Sequence, residues 1–274
     1  MLATKKNILV TGGTGFVGKS LINSFLLGGY NIISAIRSDP GLLEANVKEV
    51  NIDSISDATD WGKVLNRIDI VVHCAARAHI MNDTIADPLA EFRRVNTAGT
   101  LNLARQAANA GVKRFIFISS IKVNGEFTED VPFSPQDDFI PTDPYGLSKY
   151  EAEVGLLALA KETGMEVVII RPVLVYAFGV KGNFSNLLNW MKKGIPLPFG
   201  SIHNQRSFVA LDNLVNFIIH CIHHPKAANE VFLISDNEDV STSELLRKVA
   251  KAFGRKSWLI PVPVWLMTFF AKLI

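Results

Sequence analysis

With 274 residues, 48% of them apolar, the chain is long enough to bury a sizeable core and has the composition of an ordinary folded protein. Its formal net charge is only +2 and its Lys and Arg are scattered, which excludes a nucleic-acid-binding stripe but leaves the few cations that a phosphorylated small molecule needs. The two cysteines, Cys74 and Cys221, lie in apolar surroundings, which excludes a disulfide framework and fits buried thiols in a reducing cytoplasm.

The N-terminal MLATKKNILVTGG reaches glycine-rich sequence too soon for a secretory leader. Six β-branched runs then follow in order: NILVTG, NIISAIR, KEVNID, DIVVHCA, RFIFISS and EVVIIRP. Between them stand helix candidates beginning near Gly15, Asp60, Pro88 and Tyr145, each read as long enough for a right-handed crossover. This alternation predicts an α/β fold, a Rossmann-like doubly wound parallel sheet with helices on both faces, over residues 1–172. After Pro172 the rhythm breaks, with glycine and proline gathered in AFGVKGN and KKGIPLPFGS. Residues 173–274 therefore read as a smaller, mainly substrate-binding C-terminal lobe. Within it LDNLVNFIIHCIHH reads as a helix, and Ser241 and Glu244 stand at capping-box spacing before another. The apolar end, LIPVPVWLMTFFAKLI, holds two prolines and a lysine and is too short for a membrane span, so it reads as a packed helix. It carries no polar tail, and the chain is expected to be cut within its last lobe.

TGGTGFVG, at 11–18, follows the first strand and opens a helix, which is the context that gives a glycine pattern its meaning. Gly12, Gly15 and Gly18 permit a tight turn, close backbone approach to a pyrophosphate, and close packing of helix on strand, with Phe16 and Val17 in the same cofactor-binding turn. A dinucleotide fold normally ends its second strand on an acid that holds the ribose 2′-hydroxyl. Here Ile36 stands near that place and Arg37 follows. An arginine suits a 2′-phosphate, and equally a solvated surface position, so NAD and NADP both stay open. Asp53, at the end of the third strand, reads as an adenine contact or as an acidic turn residue. In PYGLSKYEAE, at 144–153, Tyr145 and Lys149 lie one helical turn apart on one face. An ammonium beside the phenol, with a nicotinamide cation nearby, favours the phenolate and lets the tyrosine move a proton at a sugar hydroxyl. The histidines of HCIHH, His220, His223 and His224, read as residues that complement carbonyls at a helix end, and no metal site is assigned.

Together TGGTGFVG, HCAA at 73–76, VNTAGT at 95–100, FISS at 117–120, YGLSK at 145–149 and RSFVALDNL at 206–214 carry a resemblance. From about residue 7 to 254 the chain resembles the extended short-chain dehydrogenase/reductase superfamily, and within it the nucleotide-sugar epimerases related to UDP-glucose 4-epimerase. The resemblance implies a catalytic set of Ser120, Tyr145 and Lys149, with Ser119 as the less favoured neighbour of Ser120. It implies that the serine and tyrosine engage the reacting oxygen of the sugar while Lys149 holds the nicotinamide ribose. It further implies that Ala75 and Ala76 line the cofactor cleft and that Asn96 steadies the central sheet near the active site. Arg206 matches the arginine that meets the substrate diphosphate, and Asn183 lies where the second lobe contacts it. A homodimer formed through the helices beginning near Pro88 and Tyr145 is also implied. One departure is Tyr176-Ala177-Phe178-Gly179, where the family often has Gly-Pro after the tyrosine.

Members that remove water from a nucleotide sugar resemble one another in an Asp-Glu pair after the second hydroxyl residue of the SSIKVNG loop, since elimination needs an acid for the leaving oxygen and a base at carbon 5. Those places here hold Ile121 and Lys122. Lys122 reads as a solvated charge or a substrate contact, and as a base only if buried. The expected activity is thus an NAD(P)-dependent nucleotide-sugar 4-epimerase, with a 4-ketoreductase second and a noncatalytic dinucleotide sensor as the reading from another class.

Overall fold

The computed structural model of the chain describes residues 5–37, 41, 43, 46–78, 86–180 and 183–271, with the backbone alone described at 183–185 and at 270–271. The β-branched runs form β1 (Asn7–Thr11), β2 (Asn31–Ile36), β3 (Lys48–Asn51), β4 (Ile70–His73), β5 (Arg114–Ile118) and β6 (Glu166–Pro172). Every one pairs in parallel, in the order β3-β2-β1-β4-β5-β6-β9, where β9 (Val231–Ile234) is a seventh strand that the sequence reading missed. β9 is a four-residue run whose residues are all half-buried, too short for its period to separate a strand from a piece of helix. The registers Leu9↔Ile33 and Leu9↔Val71 place β1 between β2 and β4, so the order reverses on either side of β1. In an open parallel sheet, that reversal leaves a crevice at the carboxyl ends of the strands.

The helices explain why both faces of the sheet are apolar. α1 (Phe16–Leu27) buries Leu21, Ile22 and Phe25, and α5 (Pro144–Thr163) buries Ala152, Leu156 and Leu159. One core joins Leu9, Val71, Phe115, Phe117, Val167 and Ile169 of the strands to Leu103, Leu156 and Trp61. The crossover expected from Asp60 is not a full helix. α2 (Gly62–Leu65) is a single turn, because the preceding segment is held by side chains of a later helix instead. Asn102 donates to the carbonyls of Ser56 and Thr59 at 3.0 and 2.8 Å, and Gln106 accepts from the Trp61 amide at 2.8 Å. The segment starting at Pro88 runs as α3 (Pro88–Phe92), a π-helical turn (Arg93–Ala98) and α4 (Gly99–Asn109).

The chain divides into two compact units, 1–173 with 211–234, and 174–210 with 235–274. The helix read at LDNLVNFIIHCIHH, α7 (Leu211–His223), thus belongs with the sheet, where it packs on α1 and β5. The second unit contains α6 (Asn183–Lys193), the parallel pair β7 (Leu174–Tyr176) and β8 (Phe208–Ala210), α8 (Thr242–Ala252) and α9 (Val264–Ala271). Its own small core is Met191, Leu197, Leu246 and Ala250. α8 starts on the expected capping box, with Ser241 accepting from the Glu244 amide at 3.1 Å and Glu244 from the Ser241 amide at 2.8 Å. α9 departs from the packed helix expected of the apolar end. Trp265 is 72% and Phe269 57% exposed, since one short helix with apolar residues all round cannot bury every face. Among the described residues, no helix is long and apolar enough to cross a membrane, and no group of three or more His, Cys, Asp or Glu could hold a metal ion.

Candidate active site

At the reversal point β1 runs into the glycine turn. Gly12 has a φ of +70°, and a Cβ there would stand 2.7 Å from the Ala75 amide nitrogen, so this turn and the end of β4 touch backbone to backbone. At Gly18 a Cβ would meet the Gly12 carbonyl oxygen at 2.2 Å, which sets how closely α1 approaches the turn. Gly15 precedes α1 with no side-chain cap, so the first-turn amides, at Phe16 and Val17, are left to an anion. Beside this turn is a cavity of about 200 Å³, lined by Gly12, Gly15, Ile36, Arg37, Ser54, Cys74, Ala75, Ala76 and Arg94, among others. A cradle that side chains would fill, an uncapped helix start and two guanidinium groups fit the pyrophosphate and adenosine half of a dinucleotide. Asp53 is exposed next to Ser54, and it is Ser54 that lines the cavity.

The loop after β5 and the start of α5 bring the hydroxyl, phenol and ammonium groups together. Asp143 caps α5 by accepting from the Gly146 amide at 3.0 Å, and Pro144 takes the first helical position, where a missing N–H costs nothing. Gly146 is needed where the helix meets the loop, because a Cβ there would stand 3.0 Å from the Lys122 carbonyl oxygen. The Tyr145 phenol stands near enough to the Ser120 hydroxyl for that hydroxyl to act on its titration, and its ring meets Phe92 edge to face at 6.0 Å. Lys149, one turn on, is 1% exposed and donates to the Ile118 carbonyl at 2.9 Å, with its Nζ 4.4 Å over the Phe117 ring. Burial pushes the Lys149 ammonium down to about 8, opposed by Cys74 and Glu153. Burial pushes the Tyr145 phenol up to about 12, against the Ser120 hydroxyl and with the Asp143 charge adding to it. The groups of the chain alone therefore leave the phenol high, and the phenolate expected of Lys149 with a nicotinamide cation nearby depends on the cofactor's charge as well.

The remaining candidates fall in different places. Ser119 is 4% exposed and turns its hydroxyl inward to Glu153, so it is committed to the protein interior and does not face a substrate. Lys122 is held at 2.9 Å by Glu126 and 3.5 Å by Asp143. Burial alone would lower its ammonium, but these carboxylates outweigh it and raise the group, which rules out a neutral basic lysine there. Asn96, in the π-helical turn, accepts from the Arg77 amide at 2.8 Å and donates to the Arg77 carbonyl and to Ser148, both at 3.0 Å. It ties the segment after β4 to α5 rather than reaching into the cavity. Arg206 and Asn183 belong to the second unit. Arg206 is exposed, its guanidinium 5.8 Å over the Phe208 ring. Asn183 opens α6, and its side chain lies outside the described residues.

Three features escaped the sequence reading. Arg94 lines the cavity beside Arg37 and is paired with Glu91 at 2.7 Å. His73, fully buried, bridges Thr11 at 2.6 Å and Thr100 at 2.9 Å; burial, then the charge of Lys149, pushes it down to about 3, so it is neutral and holds β1, β4 and α4 in register. Glu153 and Arg171 form an ion pair whose side chains are 3% and 7% exposed. An arginine ending the apolar run EVVIIRP was the available signal, because a charge at the end of a buried strand must find a partner.

A sheet of this order, a glycine turn at the reversal point, and a buried lysine one turn after a tyrosine define a dinucleotide-binding enzyme of the Rossmann class. The chain belongs to the NAD dependent epimerase/dehydratase family, whose model matches residues 8–235. It is 54% identical to the UDP-glucose 4-epimerase of Vibrio cholerae over 275 residues, covering 98% of this chain and 82% of that protein. Among solved structures it is similar to the UDP-glucose 4-epimerase of Thermotoga maritima with UDP-glucose, at 26% identity and a TM-score of 0.78, over 94% of this chain and 85% of that one. It is also similar to MoeE5 in complex with UDP-glucose and NAD, at 25% identity and a TM-score of 0.77, over 93% and 84%.

Proposed function

We propose that the protein is an NAD-dependent 4-epimerase of a nucleotide-linked hexose, with a UDP-hexose as the first substrate class to test. The observation that carries this reading is the Tyr145 phenol beside the Ser120 loop, one turn from a buried Lys149, with a glycine-walled cavity at the carboxyl edge of the sheet. Gly12, Gly15, Phe16, Val17, Gly18, Ala75 and Ala76 would hold the cofactor, with Arg37 and Arg94 at its adenosine end. The bound cofactor supplies a hydride acceptor at carbon 4 and, while oxidised, a positive charge beside the phenol. Ser120 would hold the 4-oxygen, and Tyr145 would take its proton as the hydride leaves and return it when the hydride comes back on the other face. With the phenol at about 12 from the protein groups alone, Tyr145 becomes a base only once positive charge stands beside it, which couples proton transfer to cofactor binding. Lys149 would hold the nicotinamide ribose.

Ile121 and the carboxylate-bound Lys122 offer neither the acid nor the base that elimination of water needs, so the reaction stops at epimerisation. The second reading, an NADPH-dependent 4-ketoreductase, is favoured by the two arginines lining the cavity and the apolar Ile36 where an acid would stand. The second unit, through Arg206 and Asn183, would bind the nucleotide diphosphate. A homodimer through the α3–α4 and α5 faces, in the cytoplasm, completes the reading. The test is to incubate the protein with NAD and a panel of UDP- and dTDP-hexoses and follow both configuration and mass. Inverted carbon 4 at unchanged mass supports the epimerase. A gain of two hydrogens on a 4-keto sugar supports the reductase, and catalytic loss of one water refutes both.

A further inference from the structure

We propose that the buried Glu153–Arg171 pair is a positioning device that holds the hydroxyl loop after β5 against the Tyr145 and Lys149 face of α5. This rests on the reading of Tyr145 and Lys149 as catalytic. The three residues Tyr145, Lys149 and Glu153 follow one another at four-residue spacing, so they occupy successive turns of one helix face. The Glu153 carboxylate accepts the Ser119 hydroxyl at one oxygen. Arg171 Nε donates to both oxygens at 3.1 Å and Nη2 to Oε2 at 2.6 Å. The same guanidinium reaches the far end of the loop, where Nη1 donates to Asn124 Oδ1 at 2.9 Å. Asn124 in turn donates to the Ser134 carbonyl at 2.6 Å and to Asp137 at 3.1 Å.

Both ends of the loop, Ser119 and Asn124, are thus bound to one pair of opposite charges. Between them lie Ser120 and the short 3₁₀ turn Ile121–Val123, in which the Ser120 hydroxyl accepts from the Lys122 amide at 3.2 Å. The root of the loop is also gripped from α5, since Lys149 donates to the Ile118 carbonyl. These anchors hold Ser120 on the side of the loop from which its hydroxyl acts on the Tyr145 phenol.

Stability alone does not account for the pair. Two charges this deeply buried lose most of their hydration, and replacing such a pair by apolar groups of similar volume is often neutral or stabilising. What an apolar pair lacks is direction. The fork of a guanidinium and the two oxygens of a carboxylate fix angles as well as distances, and an error of about 1 Å in the placement of a reacting group costs on the order of a hundredfold in rate.

The test is the double substitution Glu153→Leu with Arg171→Met, which removes both charges and keeps apolar volume. The expected result is a folded protein that binds NAD within about threefold of wild type, keeps the KM for its sugar nucleotide within about threefold, and loses about a hundredfold in kcat. A folded double variant with kcat within about threefold of wild type would overturn the inference. If that variant does not fold, Ser119→Ala and Glu153→Gln carry the test. Each should lower kcat by about tenfold at unchanged KM, and the two together should cost no more than the worse single change, because they break one unit. Additive losses, or none, refute it. Tyr145→Phe is measured alongside. Full turnover there refutes the reading of the site, whereas its loss together with intact pair variants refutes the positioning role alone.

Discussion

Gly12→Ala is the sharpest perturbation of the cofactor cradle, because two independent costs fall on one methyl group. The φ of +70° is a left-handed conformation, worth about 1–2 kcal/mol for a residue with a Cβ. The added Cβ would also stand 2.7 Å from the Ala75 nitrogen and 2.9 Å from both the Ala75 Cα and the Cys74 carbonyl carbon. These are backbone atoms that cannot swing aside, so the turn itself must move, at a cost of about 1–3 kcal/mol. The sum, about 2–5 kcal/mol, is a large part of the 5–15 kcal/mol that holds a typical domain together. Gly111→Ala separates the two costs, because its φ is +82° while a Cβ there meets nothing within 4 Å. Urea unfolding followed by tryptophan fluorescence should show Gly12→Ala losing distinctly more stability than Gly111→Ala. Calorimetric titration should show Gly12→Ala binding NAD at least about tenfold more weakly, equivalent to 1.4 kcal/mol, with Gly111→Ala unchanged. Equal destabilisation of the two variants together with wild-type NAD affinity would refute the argument that this turn is shaped by backbone contact around a dinucleotide.

Tyr145→Phe should retain cofactor affinity and lose about two to four orders of magnitude in turnover, measured by steady-state epimerisation; near-wild-type turnover would remove the tyrosine from the mechanism. Lys149 titrates at about 8 in the folded protein against the usual 10.5, so between those values the unfolded chain holds a proton that the folded chain has released. The cost of burying this ammonium is therefore fully present below about 8 and is relieved as pH rises from about 8 toward 10.5, so stability increases across that window. Chemical denaturation across that window, wild type minus Lys149→Met, should show the rising difference, and a flat one contradicts the buried ammonium. Arg37→Asp should weaken NADPH relative to NADH in fluorescence titrations, and an unchanged ratio of the two affinities would remove Arg37 from phosphate recognition.

Local pattern was enough for six strands of the sheet and for the segments on which the candidate site residues stand. β-branched runs separated by helical stretches have one economical solution, and a glycine turn or a Tyr-Lys pair is a feature of neighbouring residues that no distant contact needs to create. Six strands, the start of α1, the capping box of α8 and the face shared by Tyr145 and Lys149 were legible on those grounds. Tertiary structure alone decided where the isolated charges and hydroxyls went. Ser119 and Ser120 are adjacent and chemically alike, yet one turns to Glu153 and the other to Tyr145, because successive residues leaving a strand point to opposite sides and only the packed helix says which side is which. Lys122 was open to three roles until Glu126 and Asp143 enclosed it. Burial raises the Tyr145 phenol among the groups of the chain alone, because the loss of water is a property of the folded site and not of spacing along a helix, and the lowering expected of the lysine and a nicotinamide cation together depends on the bound cofactor. Glu153 and Arg171 lie 18 residues apart on a helix and a strand, and only their packing makes two ordinary charges into one buried pair.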